Sequence, residues 1–412
     1  MRSMSAKSAQ VAGLVWLLAV TGNADDDFGE AVREFSSARH ELARDLSLRL
    51  DLPLPPEADA FFRVATTGRW EAVSNGFEQV KQQARYGTAL PALRNELWAP
   101  IHETIGIWEV WIGWKKSSSL LAMFYGPVLE SMPQGSIYFG GTDYGRFVIT
   151  TVNALRKPPP VFCITQNALA DNTYASHLRA VYGDSIWLPQ TQDSAHAFQR
   201  YVEEVKSGER PQNAELEIVN GRVKVSGALS VMEINGILCE TIFDHNKERH
   251  EFYVEESYVL GWMYPYLEPH GLIMKLNAQP LEVLPDESVA RDRRFWAEYE
   301  RRLRAHPEFN GNLEAEKAFS KLRSAIAGIY VYRKLYDEAE MAFEQAIRLC
   351  PVSPEASFRL AKMHVEDGRV SDAVCVMDAY ISRDPPYSHE EAVRYLEELK
   401  AKEQQDNTVG PR

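Results

Sequence analysis

The sequence predicts an α/β domain in the middle of the chain, set between a helical N-terminal region and a C-terminal segment of helical repeats. Three observations predict it. Between residues 133 and 284, short β-rich runs alternate with helical patterns of about ten to twelve residues. Residues 25–132 carry apolar residues at helical spacing. Beyond residue 318 the chain resembles itself at an offset of 34 positions.

At the N-terminus, Arg2 and Lys7 precede an apolar run from Val11 to Val20, followed by Thr21-Gly22-Asn23-Ala24. A positive start, a short apolar stretch and small residues read as a signal peptide over residues 1–24, cut after Ala24. The run is shorter than the roughly 20 residues that a membrane span needs. An extracytoplasmic location, periplasmic or secreted, is therefore expected, with an N-terminal membrane anchor as the alternative. Residues 28–49 follow as a helix, broken by Pro53, Pro55 and Pro56. Ala60, Phe61, Val64 and Ala65, then Gly68, then Trp70, Val73, Phe77 and Val80 outline a helical hairpin. Two further helices are expected over 91–114 and 117–130. Trp98, Trp108, Trp111 and Trp114 of the first form a buried face among Ile105, Ile107 and Ile112.

The α/β domain spans residues 133–284. Strands are predicted at Ser136–Phe139, Val161–Thr165 and Ser185–Leu188, with helices at Tyr144–Leu155, Thr173–Tyr182 and Ser194–Lys206. Such alternation implies a mostly parallel sheet with right-handed crossovers, a Rossmann-like three-layer arrangement. Leu216, Ile218, Asn220-Gly221, Val223 and Val225 spell a β-hairpin. A helix at Leu229–Leu238, strands around Thr241–Phe243 and Glu251–Val254, a helical stretch at Tyr258–Leu267 and a last strand at Leu272–Leu276 complete the domain.

Residues 285–403 hold the repeat. The 34-residue offset lays Tyr336-Asp337-Glu338-Ala339 on Val370-Ser371-Asp372-Ala373, Phe343 on Met377, and Pro351 on Pro385. Thirty-four is the period of tetratricopeptide (TPR) hairpins. Ala327, Ala339, Ala361 and Ala373 are small where helices must approach closely, and Gly368 supplies a turn. His389–Lys402 is expected to cap the array, and residues 404–412 to form a disordered tail.

Composition narrows the function. With 45 % hydrophobic and 25 % charged residues the chain is globular. Its net charge of −13 repels phosphate backbones, so no nucleic-acid partner is expected. The arginines at 291, 293, 294, 301, 302 and 304 read as the solvated face of a helix with Phe295, Trp296 and Tyr299. The four cysteines, Cys163, Cys239, Cys350 and Cys375, have no CxxC spacing and read as small buried hydrophobes, with a single disulfide bridge as the alternative.

In open α/β sheets ligands bind beyond the carboxyl ends of strands. The first strand ends in Gly140-Gly141-Thr142-Asp143-Tyr144-Gly145-Arg146, the second in Thr165-Gln166-Asn167 before Asp171-Asn172-Thr173-Tyr174. The ligand-binding candidates are Thr142, Asp143, Arg146, Gln166, Asn167, Asp171 and Tyr174, with Arg146 able to clamp an anion. Thr142, Asp143, Asp171 and Asn172 can equally serve as helix caps. Glu255-Glu256 are adjacent and would point apart on a strand. His177, His196, His245 and His250 lack metal-ligand spacing, so no metal is expected, and no dinucleotide, phosphate-loop or GxSxG motif indicates a cofactor or a catalytic serine.

Gly135-Ser136-Ile137-Tyr138-Phe139-Gly140-Gly141-Thr142-Asp143, then Ile164-Thr165-Gln166-Asn167-Ala168-Leu169 and Tyr174, resemble the soluble C-terminal region of a bacterial membrane-protein family related to protein O-mannosyltransferases. Glu251–Val254, Gly261 to Tyr266 and His270-Gly271-Leu272 are similar to that family's closing strand–helix–strand. Exported bacterial TPR proteins with the same Gly-Gly-Thr-Asp segment are also similar. The resemblance covers roughly residues 133–284, with TPRs following. It implies an accessory or acceptor-side domain near an envelope glycosylation or assembly system. The family's Gly-Asp-Asn-Asp-like turn is Gly140-Gly141-Thr142-Asp143 here, and its multi-span part has no counterpart, so no catalytic residue carries over.

The expectation is therefore a non-enzymatic binding or scaffold protein. TPR hairpins would hold a protein or peptide through Lys321, Ser324, Tyr332, Phe358 and Lys362. The alternative is an enzyme of glycosyl or phosphoryl transfer using Asp143, Arg146, Asn167 and Asp171. Peripheral membrane association stays open.

Overall fold

The computed structural model describes residues 27–86, 96–141, 144–156, 159–210, 215–219, 222–255 and 260–409. The expected signal peptide and tail tip, the start of the 91–114 helix, and the Asn220-Gly221 turn lie outside the described residues. The chain is mostly helical around a small five-stranded mixed sheet.

Helix α1 (Asp27–Arg49) turns Phe28, Val32, Phe35, Ala43 and Leu46 to the interior at helical spacing. Pro55 and Pro56 open α2 (Pro56–Thr67), because proline's fixed φ suits a first turn whose N–H groups have no partner. Gly68 turns the chain into α3 (Trp70–Tyr86). Helix α4 (Trp98–Gly113) buries Trp108 and Trp111, and Trp114 just beyond it is fully enclosed. Ser117 caps α5 (Ser118–Ser131) by accepting from the Leu120 N–H at 3.2 Å.

Strand β1 (Ser136–Gly140) leads through α6 (Tyr144–Leu155) to β2 (Val161–Thr165), which pairs with it in parallel. Helices α1, α4 and α5 all pack on α6, so the N-terminal helices are seated on the crossover that joins the first two strands. After β2 come α7 (Asn172–Tyr182), α8 (Thr191–Ser207), the antiparallel ribbon of β3 (Glu215–Val219) and β4 (Arg222–Ser226), and α9 (Ala228–Asn246). Strands β5 (Phe252–Val254), β6 (Leu267–His270) and β7 (Ile273–Leu276) complete a sheet of order β2-β1-β5-β7-β6.

The sheet differs from expectation in four ways. It is mixed rather than mostly parallel: β1 has parallel neighbours on both sides, whereas β7 runs antiparallel to β5 and to β6. Residues 185–188 form no strand, because Asn246 supplies what a neighbouring strand would. Its amide accepts from the Trp187 N–H at 2.8 Å and donates to the Trp187 carbonyl at 2.9 Å. Residues 241–243 belong to α9, because Leu238, Ile242 and Phe243 recur at helical spacing and are buried along one side of it. Strand β6 is not expected from a segment that contains Pro269, yet it is an edge strand, where a missing N–H is tolerated.

Beyond the sheet, α10 (Asp286–Ala305) and α11 (Leu313–Tyr332) lie against β6, and α11 also touches β7. Helix α12 (Tyr336–Leu349) pairs with α11, α13 (Pro354–Glu366) with α14 (Val370–Ile381), and α15 (His389–Val409) packs on α14. Helix α15 runs past the expected end at residue 402, so 404–409 are helical rather than tail; Glu403 accepts from the Ser371 hydroxyl at 2.5 Å and ties this last stretch to α14. One hydrophobic core runs from Phe28 to Met363. A smaller one, including Ala361, Met377 and Leu399, joins α13, α14 and α15.

Candidate functional site

Strands β2 and β5 flank β1 on opposite sides, so the strand order reverses at β1, and the carboxyl ends of these strands are where an open α/β sheet places its ligand site. Gly140 is in register with Thr165, which sets the ends of β1 and β2 side by side. Glu255, directly after β5, sits at these ends and is only 4 % exposed. Its N–H donates to the Phe139 carbonyl (3.0 Å), and its Oε2 accepts from the Gly141 N–H (3.2 Å). A Cβ on Gly145 would collide with Glu255 Oε1 and lie 2.5 Å from Phe124 Cζ, so only glycine leaves room there. The carboxylate thus rests on the first turn of α6, the position that favours negative charge.

Arg146 lies close to Glu255: a Cβ on Gly140 would stand 2.8 Å from Arg146 Cβ and 3.6 Å from Glu255 Oε2. Its Nη1 donates to Thr165 Oγ1 at 2.8 Å, and its guanidinium lies 4.0 Å from the centre of the Phe147 ring. Thr142 and Asp143 lie outside the described residues, as does Glu256.

Tyr174 has a structural job. Strand β2 is at the edge of the sheet, and side chains close its free side at every second residue. Asn153 bonds both backbone groups of Val161, and Tyr182 both backbone groups of Cys163. The Tyr174 hydroxyl accepts from the Thr165 N–H at 2.8 Å. Burial pushes the pKa of that hydroxyl up to about 12. Beside it His177 is buried, and loss of solvation pulls its pKa down to about 4, so the ring is neutral at neutral pH.

The turn after β2 is clamped from α9. Asn235 accepts from the Ala170 N–H (2.6 Å) and donates to the Asn167 carbonyl (3.0 Å). Gln166 is buried at the base of this turn. Asp171 caps α7 by accepting from the N–H and hydroxyl of Thr173, the capping role that the sequence offers as its other reading. Asn167 and Asp171 also stand at one edge of a groove of about 1100 Å³ between α8 and α9. Its floor is apolar, with Phe198, Val202, Ile234 and Leu238, and a few polar side chains line its edges, a composition suited to binding.

No family model, curated protein or solved structure matches this chain.

The hairpin candidates differ in exposure: Ser324 is buried, Lys321 and Phe358 are half-buried, and Tyr332 and Lys362 are exposed. Ser324 is fully buried, and Phe358 stacks on Tyr395 with ring centres 5.7 Å apart, against the smaller core. Tyr332 stacks on Tyr264 of the segment before β6 at 5.4 Å. Next to it Arg333 donates to the Pro265 and Leu281 carbonyls, each at 2.7 Å. Lys321 is half-buried and Lys362 is exposed. On α11, Ser324 thus faces the interior, whereas Tyr332 keeps 48 % of its surface exposed beside Tyr264. Arg323 carries no sequence signal of its own. It lies fully buried between Asp292 (2.8 Å), Gln345 (2.8 Å) and the Trp296 ring, and Tyr330 donates to the same Asp292 oxygen.

Sequence reasoning sets aside Glu255 and does not reach Asn235 or Arg323. The signal for Glu255 is an acid immediately after a short buried strand. Asn235 and Arg323 are buried inside helices, where a polar group needs a partner, but nothing in their local pattern marks them as inward-facing. Among the described residues no group of three or more His, Cys, Asp or Glu could hold a metal ion, and no helix is long and apolar enough to cross a membrane. The four cysteines are free thiols, three of them buried.

Proposed function

We propose that this chain is an exported binding and scaffold protein, in which TPR-type hairpins are built onto a Rossmann-like α/β body that carries the docking surface. The observation that carries the reading is the repetition of helix pairs at the 34-residue offset. Ala327 with Ala339, and Ala361 with Ala373, are all fully buried at the matched positions of α11–α12 and α13–α14. The groove between α8 and α9 supplies an open, apolar-floored surface in the same molecule. The likeness of residues 133–284 to the soluble region of the mannosyltransferase-related membrane family favours a place near envelope glycosylation or assembly. Binding is favoured over glycosyl or phosphoryl transfer because Arg146 is engaged by Thr165 and Asp171 by Thr173.

Crosslinking the full-length protein in its native envelope and recovering it by an affinity tag tests the reading. A partner recovered in stoichiometric amount is the expected result, together with export of a reporter fused behind residues 1–24. Turnover of a nucleotide-sugar or phosphoryl donor that Arg146→Ala abolishes would replace binding with catalysis.

A further inference from the structure

The groove between α8 and α9 has features that point to one kind of occupant. Along α8, Ala195, Phe198 and Val202 follow one another at i, i+3 and i+7. Along α9, Val231, Ile234 and Leu238 do the same, and all six line the groove. Two neighbouring helices with matched apolar rows form the seam into which a third helix packs. The lining of α8 runs from Thr191 to Lys206, about 22 Å at 1.5 Å per residue, the length of four helical turns. Ala195 is exposed and Val231 is 41 % exposed, so the apolar seam opens to solvent.

Charge narrows the occupant further. Asp171 and Glu203 are exposed acids on the groove's edges, against one base, Lys206. Two other bases of the region, Arg200 and Arg210, are engaged by acids. Arg200 is bound by Glu204 and Glu240 at 2.7 and 2.9 Å, and Arg210 by Glu204 and Glu233.

We infer that the groove between α8 and α9 is a docking site for an amphipathic helix of a partner protein, with apolar residues at i, i+3 and i+7 and a basic flank. The helix lays its apolar face on the Phe198–Ile234 seam, and its lysines or arginines lie beside Glu203 and Asp171. The inference rests on the reading of the chain as a binding protein and narrows it to one surface.

The test uses the full-length protein and a fluorescein-labelled 15-residue peptide of leucine and lysine, with leucines at helical spacing, read by fluorescence anisotropy. A scrambled peptide of identical composition is the control. Saturable binding is expected, at least tenfold tighter than that of the scramble. Ala195→Trp fills the groove from an exposed position and should weaken binding at least tenfold. Val231→Asp should do the same, and Glu203→Lys should weaken it several-fold. Melting curves identify any variant that fails to fold, and Gln199→Trp then replaces it. Equal binding of the scramble, or indifference to both groove variants, overturns the inference. So does saturable uptake of a fluorescent fatty acid in place of the peptide, or a dimer of this chain that Ala195→Trp dissolves. If the envelope partner is still recovered with Ala195→Trp while the peptide does not bind, the groove assignment fails and the scaffold reading stands. If no partner is recovered either, both fail.

Discussion

The first hairpin, α11–α12, and the second, α13–α14, share a repeat but not a situation. Where the first has Arg323, Gly328, Tyr330 and Phe343, the second has Ser357, Lys362, His364 and Met377 at the offset of 34. Arg323 pairs with buried Asp292 of α10, and a Cβ on Gly328 would stand 3.1 Å from the Tyr264 hydroxyl. Phe343 belongs to the main core and Met377 to the smaller one. Lys362, by contrast, is exposed to solvent. The positions that repeat, such as Ala327 and Ala361, describe how a hairpin closes. The positions that differ record what lies against it.

The largest effect should come from the buried pair. Arg323→Met leaves the Asp292 carboxylate enclosed without its cation, and losing one partner of a buried ion pair costs about 3–5 kcal/mol. The equivalent Ser357→Ala should cost no more than about 1 kcal/mol. Urea titrations of the two variants check this, and a loss below about 1 kcal/mol for Arg323→Met would break the comparison.

Next come the two repeat-matched core residues. Phe343→Ala and Met377→Ala each remove a buried side chain and should each cost about 2–5 kcal/mol. They should differ in what unfolds. Phe343→Ala should lower the main transition, whereas Met377→Ala should release α13–α15 in an earlier step, visible as faster amide exchange confined to residues 354–409. A single shared transition in both variants would mean that the smaller core has no independence.

A smaller effect should appear with pH. His364 is buried, and burial followed by the charge of Arg369 holds its pKa below the ordinary histidine range. The folded hairpin therefore favours the neutral ring. Above the ordinary pKa both states are neutral and the stabilisation is fully present; as pH falls the unfolded chain binds the proton first, and stability is lost. Melting of α13–α15 between pH 8 and 5 should fall more steeply in the wild type than in His364→Gln. Tyr330, in the matching place, is raised by burial and by Asp292 and contributes no slope in that window.

Much of this architecture is legible in the residues. Tyr144–Leu155 and Val161–Thr165 form the elements that their spacing predicts, because the first repeats apolar residues at helical spacing and stops before Pro158, and the second is a short apolar run directly after Pro160. The 185–188 segment imitates a strand because Ile186 and Leu188 are buried without strand neighbours, their backbone being satisfied by the distant side chain of Asn246. Site residues are less legible for the same reason. Thr165, Arg146 and Tyr174 do meet at the end of β2, where Thr165 bonds both of the others. That follows from which side chain reaches an edge strand's free N–H, which depends on packing between α7 and β2 rather than on local pattern. On the hairpin face, periodicity identifies Tyr332 without showing that Tyr264 of the same chain stacks beside it.

The smallest effects should come from the pair at matched positions that differ most in chemistry. Lys362 is exposed and lies 3.8 Å from Glu366 one turn on, a surface pair of the kind that contributes little; Lys362→Ala should change stability by less than about 0.5 kcal/mol. Gly328→Ala places a methyl group against Arg359 Nη2, the mobile end of a long side chain that can swing aside. The gain of about 1 kcal/mol from replacing glycine inside a helix offsets that displacement. Both variants should therefore melt close to wild type, but for different reasons. Only Gly328→Ala should disturb the Tyr264–Tyr332 stack, which tyrosine fluorescence or amide exchange at 261–266 would report. If Lys362→Ala alters exchange there instead, the second hairpin reaches the body after all, and the contrast between the two repeats must be redrawn around it.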